Sequence, residues 1–271
     1  MKHVPPQVTH QASDGVLEIL QYRALLWTFA LREIKVRYKQ AVLGAAWAVL
    51  QPLSLMVVFT LFFSILLNVS SDGIPYPLFV YSALLPWTFF STSLAFAIPS
   101  LTNNAQLITK VYFPRAILPL ASVLAAGFDF CIAGLVFCGM MLFYQVRVTI
   151  DLLWVFPLLL IQVAFTVAVA FFFSALNVTY RDVRHAMPLL IQLWMFATPV
   201  IYSVSVVPER YRALYLMNPM AAVIDGFRKV LVQGHSPDLW SLSPVAATSV
   251  ILLWAAYRYF KRAEEAFADV I

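Results

Sequence analysis

Between residues 44 and 260 the chain is an almost unbroken succession of apolar runs, at 44–68, 77–98, 117–143, 153–176, 187–205 and 243–260. Each is close to the roughly 20 residues that a helix needs to cross a bilayer. In hydrocarbon every backbone N–H and C=O must be bonded within the protein, and a helix does this inside one segment. The expected fold class is therefore an all-α integral membrane protein with six transmembrane helices. Composition agrees, because only 11% of the 271 residues are charged, against about 25% in a soluble domain. A globule this apolar could not cover its own surface. Pro52, Pro86, Pro157, Pro188 and Pro199 fall within the runs, where lipid-embedded helices tolerate them if neighbours satisfy the freed carbonyls. Residues 1–15 are polar, so no cleaved signal peptide is expected and the first run is expected to direct insertion.

The cations orient the spans. With the N-terminus inside, the inner segments hold 13 of the 18 Lys and Arg, and the outer ones hold Arg147, Arg210, Arg212, Arg228 and Lys229. This bias follows the positive-inside rule. Six spans return the C-terminus to the cytoplasmic side.

Residues 14–31 read as a helix capped by Ser13. Leu17, Leu20, Ala24, Trp27 and Leu31 share one face, with Leu25 intruding on the polar side. Such a helix, extending to about residue 40 with a Trp and a basic end, is expected in the membrane interface. The basic end is dense: REIKVRYKQAVLGAAWAVLQPL, residues 32–53, places Arg32, Lys35, Arg37 and Lys39 within eight residues and directly against the first span. Arg32, Lys35 and Lys39 have 3-4 spacing and share a helix face. Gly44 is placed to let this helix turn into the span, and Gln51-Pro52 to bend it. Residues 206–242 form the longest outer connection. Within it NPMAAVIDGFRKVLVQG reads as a short helix capped by Asn218, opened by Pro219 and ended by Gly234. It is too short to cross, so a re-entrant or surface-lying helix is expected before the last span.

Most enzyme chemistry is excluded. GxxxxGK[ST] is absent, so the chain is not expected to hydrolyse nucleotide. The spans hold no paired carboxylates and no chain of Asp, Glu, Lys and His for proton coupling. His3, His10, His185 and His235 lie far apart, and no metal site is expected. Cys131 and Cys138, two helical turns or about 10 Å apart, are too distant for a disulfide and read as packing residues. With Gly127 and Gly134 they form a stripe of small residues, expected to pack on a neighbouring helix. Asp129 lies away from that stripe. As an intramembrane carboxylate it is a functional candidate, expected to bond a Gln or Tyr of another span or to line a cavity.

Two inner loops stand out. NNAQLITKVYFPRAILP, residues 103–119, mixes apolar residues with Lys110, Tyr112 and Arg115, as expected of a short helix offered to a partner's groove. NVTYRDVRHAMP, residues 177–188, concentrates Tyr180, Arg181, Asp182 and Arg184. Positive-inside anchoring explains the cations of both but not the apolar residues of the first. Aromatic residues make up 15% of the chain. Interfacial belts account for many, and Tyr76, Tyr81, Trp87, Phe89 and Phe90 are candidates to stack on sugars in a channel.

These blocks, taken in order with LMNPMAAVIDGFR, resemble the membrane subunits of ABC-2-type bacterial polysaccharide exporters over residues 25 to 260. That group moves O-antigen, capsule and wall teichoic acid chains across the inner membrane. The resemblance implies a homodimer around a glycan channel, powered by two copies of a separate ATPase that binds ATP and Mg. No cofactor in this chain and no nucleic-acid partner are expected. It implies that Lys110, Tyr112, Arg115, Tyr180, Arg181 and Asp182 couple to the ATPase. It also implies that Arg32, Lys35, Arg37 and Lys39 stand beside the entrance for a polyprenyl-diphosphate-linked glycan. Anionic membrane lipids and the ATPase surface are the other partners open to these cations. An ABC-2-type exporter of a small molecule or lipid, and a non-transporting scaffold for glycan synthesis, are the alternative functions.

Overall fold

The computed structural model describes residues 15–39 and 44–267. The expected cap Ser13, with Lys2, His3 and His10, lies outside them. Helices α1 (Gly15–Gln21) and α2 (Arg23–Tyr38) precede a 3₁₀ turn at Gly44–Ala46. Next come α3 (Trp47–Phe59), prolonged as a π-helix over Thr60–Leu66, α4 (Tyr76–Ala97), and the short α5 (Ser100–Asn103) and α6 (Ala105–Lys110). Then follow α7 (Ile117–Phe143), α8 (Val155–Thr179) and α9 (Val183–Phe196). The chain continues through α10 (Glu209–Leu216), α11 (Pro219–Arg228) with a π turn at Lys229–Gln233, and α12 (Leu239–Glu264). No strand occurs among the described residues.

Among these residues five segments are long and apolar enough to cross a membrane: Trp47–Leu66, Tyr76–Ala97, Ile117–Phe143, Ile150–Thr179 and Leu239–Glu264. They cover every expected run except 187–205. There, α9 has 14 residues, about 21 Å of helix, and ends at Ala197 (φ −84°, ψ 9°). Pro199 disfavours helical geometry in the residue before it, which accounts for the early stop. The chain nevertheless passes from one end of the bundle to the other. Arg184 N donates to Asn177 Oδ1 at one end, and Ile201 O accepts from Tyr76 Oη at the opposite end.

Long-range bonds sort the connections into two ends. Glu18, Thr102, Arg115, Asn177, Arg184 and Lys261 meet at one. Asp72, Tyr76, Thr149, Ile201, Ser203 and Gly234 meet at the other. These are the inner and outer groupings of the positive-inside assignment.

The central helix is α4, and Tyr76, Tyr81, Trp87, Phe89 and Phe90 on it are all at most 6% exposed. Phe90 packs between Phe165 at 5.7 Å and Trp194 at 5.2 Å, and Tyr81 stacks on Phe137 at 6.0 Å. α3, α7, α8 and α11 surround α4, so within this chain these aromatics, expected beside a channel, pack the core. Phe89 alone of the five borders one of the cavities described below. The small-residue stripe is corrected in part. A Cβ on Gly127 would stand 4.0 Å from the Phe89 ring of α4, whereas Cys131 and Cys138 are exposed and nothing among the described residues lies within 4 Å of where a Cβ on Gly134 would stand. Beyond Gly127 the stripe faces outward in this chain.

On α1 and α2 the apolar face is turned outward, with Leu20 and Trp27 more than half exposed. Leu25, which breaks the sequence pattern, belongs to the inward face with Leu26, Phe29 and Ala30. Asn218 caps α11 by accepting from Met220 N at 3.2 Å, and Gly234 follows the π turn at φ 68°. Residues 220–224 are buried, so α11 is embedded in the bundle rather than laid on it.

Gly44 has φ +50° and, among the described residues, nothing within 4 Å of its missing Cβ. The cost of Gly44→Val is therefore backbone strain alone, about 1–2 kcal/mol. A lower unfolding midpoint is expected by tryptophan fluorescence of the purified protein. Gly44→Asn should recover most of it, since Asn accepts left-handed geometry better.

Candidate functional site

The basic end of α2 is held against α7. Phe29 meets Phe113 at 5.8 Å just ahead of α7, and two turns on, Arg37 and Tyr38 reach Asp129. The four cations of this cluster then separate by helix angle. Arg37 falls on the packed side with Phe29 and Ala30, whereas Arg32, Lys35 and Lys39 are exposed on the flank. Arg37 Nη1 donates to Asp129 Oδ2 at 2.8 Å, and its guanidinium lies 3.7 Å from the centre of the Phe96 ring. Tyr38 Oη donates to the other carboxylate oxygen. Burial, and then its bond to Asp129, hold the Tyr38 phenol well above its ordinary range, so it remains a donor. Asp129 thus has a Tyr partner, but on α2 rather than on another span. The Arg37 side chain is only 8% exposed, which sets it apart from the other three cations. A buried pair of this kind is costly to split, because either charge left alone is uncompensated.

Behind this clamp lies a cavity of about 340 Å³. Glu33 and Arg37 of α2, Trp47 and Gln51 of α3, Thr92 of α4 and Asp129 of α7 are among its walls. Gln51, Thr92 and Phe96 also border a second cavity of about 390 Å³, which extends to Arg184 and Met187.

The two inner loops are joined. Asn177 Nδ2 donates to Thr102 Oγ1 at 3.3 Å, and Thr102, Asn103, Asn177, Arg181 and Arg184 line a polar cleft of about 180 Å³. Tyr112 and Tyr180 are more than 60% exposed, and Lys110, Arg181 and Asp182 are exposed beside them in sequence. Arg115 differs from the rest of the expected coupling set. Its backbone N–H and its guanidinium both donate to Glu264, which also pairs with Lys261 at 2.8 Å. Lys261 reaches Glu18 at 3.1 Å. This network ties α1, α12 and the first loop together.

At the outer end the sequence reading passed over Arg228, counting it only as an outer cation. The side chain is 2% exposed, lies 3.7 Å from the Phe79 ring centre and donates to Pro199 O at 2.7 Å. Burial lowers its pKa to about 10, with Asp225 and Asp72 opposing, so it stays charged at neutral pH. The available signal was the pair of cations, Arg228 and Lys229, inside the largely apolar stretch VIDGFRKVLV.

Residues 24–232 match the family described as ABC-2 type transporter. The O-antigen export system permease protein RfbA of Myxococcus xanthus is 36% identical over 259 residues, covering 94% of this chain and 98% of that protein. A protein of the same name from Klebsiella pneumoniae is 30% identical over 248 residues, 91% of this chain and 95% of its own length. The polysialic acid transport protein KpsM of Escherichia coli is 22% identical over 244 residues, 87% and 92% of the two chains. With five apolar spans in place and near-complete coverage in both directions, the chain belongs to the ABC-2 type transporter family of membrane proteins.

Proposed function

We propose that this chain is the permease half of an ATP-driven exporter that moves a lipid-linked, O-antigen-like polysaccharide across the bacterial inner membrane. Two copies form the channel, and two copies of a separate ATPase, which bind ATP and Mg, drive it. Six crossings hardly enclose a pore for a polymer, so a second copy supplies the other wall. The termini lie on the cytoplasmic side, where the cation bias puts them. The relatives named as O-antigen export permeases support the substrate class.

The observation that carries the reading is the division of the α2 cations. Arg37 is locked to Asp129, whereas Arg32, Lys35 and Lys39 are exposed together beside the outward apolar face. A cationic flank next to a lipid-facing surface suits a diphosphate on a polyprenyl tail, and Arg and Lys are its natural ligands. On the same side, Lys110, Tyr112, Tyr180, Arg181 and Asp182 offer the ATPase an exposed surface. Arg115, bonded to Glu264, carries its movement to α12.

The test is export in cells carrying Lys35→Ala with Lys39→Ala. At about 1 kcal/mol per cation near an anionic surface, removing the pair should lower affinity for the lipid-linked substrate about thirtyfold. Polymer should accumulate inside while surface glycan falls. Unchanged export and affinity would sink the assignment of these cations. Normal display of polymer after depletion of the chain would turn the reading to a small-molecule exporter, and loss of all polymer to a scaffold.

A further inference from the structure

We propose that the cavity walled by α2, α3, α4 and α7 seats the sugar ring that is joined to the diphosphate of the lipid-linked chain. This rests on the glycolipid reading above and extends it from the phosphates to the saccharide.

The lining has unused hydrogen-bonding capacity. Arg37 Nε and Nη2 are buried with no hydrogen-bond partner. The side chains of Glu33, Gln51 and Thr92 make no hydrogen bond or ion pair among the described residues, and all three face the cavity. Buried donors without partners are costly, and the two of Arg37, beside the unbonded Glu33, Gln51 and Thr92, call for a ligand that both donates and accepts. Sugar hydroxyls do both. An acyl chain would leave every one of these groups unpaired.

The remaining walls mix small aliphatic residues, Val36, Ala48, Pro52 and Ala126, with the rings of Trp47, Phe89 and Phe130, while Arg37 already covers Phe96. Flat rings beside amides, hydroxyls and carboxylates match a pyranose, whose faces are C–H and whose rim is O–H. The volume of about 340 Å³ is at the small end of ligand sites, which run from about 300 to 1,000 Å³. It holds a single ring with its substituents, not a length of polymer. Position agrees with this: Arg37 lines the cavity, and Arg32, Lys35 and Lys39 stand on the flank of the same helix. Phosphates on the flank would present the first sugar at the cavity. The second cavity, sharing Gln51, Thr92 and Phe96 and reaching Arg184, gives the following sugars a way on.

The experiment uses the full-length chain in lipid nanodiscs and three probes. They are undecaprenyl diphosphate, the same lipid carrying one hexose, and the same lipid carrying one N-acetylhexosamine. At least one sugar-bearing probe should bind about thirtyfold tighter than the bare diphosphate, the sum of two ordinary hydrogen bonds. In the double variant Gln51→Leu, Thr92→Val that preference should fall to about onefold, with binding of the bare diphosphate unchanged. Thr92→Ser, which keeps the hydroxyl, should retain it, and unfolding midpoints would show that each variant is folded. Equal binding of all three probes by the unaltered chain would overturn the saccharide site and leave the diphosphate reading standing. Failure of all three to bind would overturn both. A preference that survives the double variant would place the sugar elsewhere.

Discussion

Asp129→Ala should detach the basic end of α2 from the bundle, lowering the unfolding midpoint sharply and abolishing export. The carboxylate takes both donors, Arg37 at 2.8 Å and the Tyr38 phenol. Removing one partner of a buried ion pair costs about 3–5 kcal/mol, because the other charge stays behind uncompensated. Arg37 makes no other hydrogen bond, its Nε and Nη2 being without partners. Deleting both charges should cost much less. Asp129→Ala combined with Arg37→Met should recover well over half of the lost midpoint, and the double-mutant cycle reads the coupling directly. If the two single losses simply add, the pair is not what holds the helix. Hydrogen exchange separates anchoring from general damage. In Asp129→Ala the amides of residues 30–38 should exchange faster while those of α8 and α12 are unaffected, as local opening of one poorly held element predicts.

The depth of the clamp explains why its loss would reach export as well as stability. Asp129 lies 12 residues into α7, about 18 Å along its axis. Yet it stands level with the last turns of α4, where Phe96 lies under Arg37 and Phe89 touches Phe130 at 5.7 Å. The clamp therefore fixes α2 beside the inner ends of two spans. The flank carrying Lys35 and Lys39, and the wall of the cavity, move together with it.

The spans were legible because length and hydropathy are local properties. Leu20, Trp27 and Leu31 could likewise be placed on one face from spacing alone. The contacts of the site were less so. Asp129 is 92 residues from Arg37, and a lone carboxylate in an apolar run has no local signal for which helix will supply its partner. The helical step already set Arg37 apart from the face shared by Arg32, Lys35 and Lys39, but spacing alone does not say that its own side is the one packed on α7. The aromatics of α4 show the same limit from the other side. A Phe facing lipid, core or channel looks alike in an apolar run, and only the ring of neighbours around α4 decides that Phe90 meets Trp194. The short α9 was concealed because Pro199 sits in an apolar stretch where membrane helices often tolerate proline.

Arg228→Ala should be the most damaging change at the outer end. The side chain is 2% exposed and fills the space between Phe79 and the turn at Pro199 and Val200. Truncating a large buried side chain costs about 2–5 kcal/mol through the cavity left behind. The Pro199 carbonyl also loses its donor, a further penalty of about 1–3 kcal/mol where the group is buried. The nearest carboxylate in sequence, Asp225, is already paired with Lys229 at 2.8 Å, so Arg228 is held by a ring face and carbonyls rather than by a direct ion pair. This makes Arg228→Met informative. It restores volume and removes a desolvated charge, so most of the stability should return. It cannot donate to Pro199, so the turn between α9 and α10 should remain loose. Faster amide exchange at residues 198–203 in Arg228→Met, with export still impaired, would show that the cation positions the outer turn and does more than fill the core. Export restored along with stability would reduce Arg228 to packing.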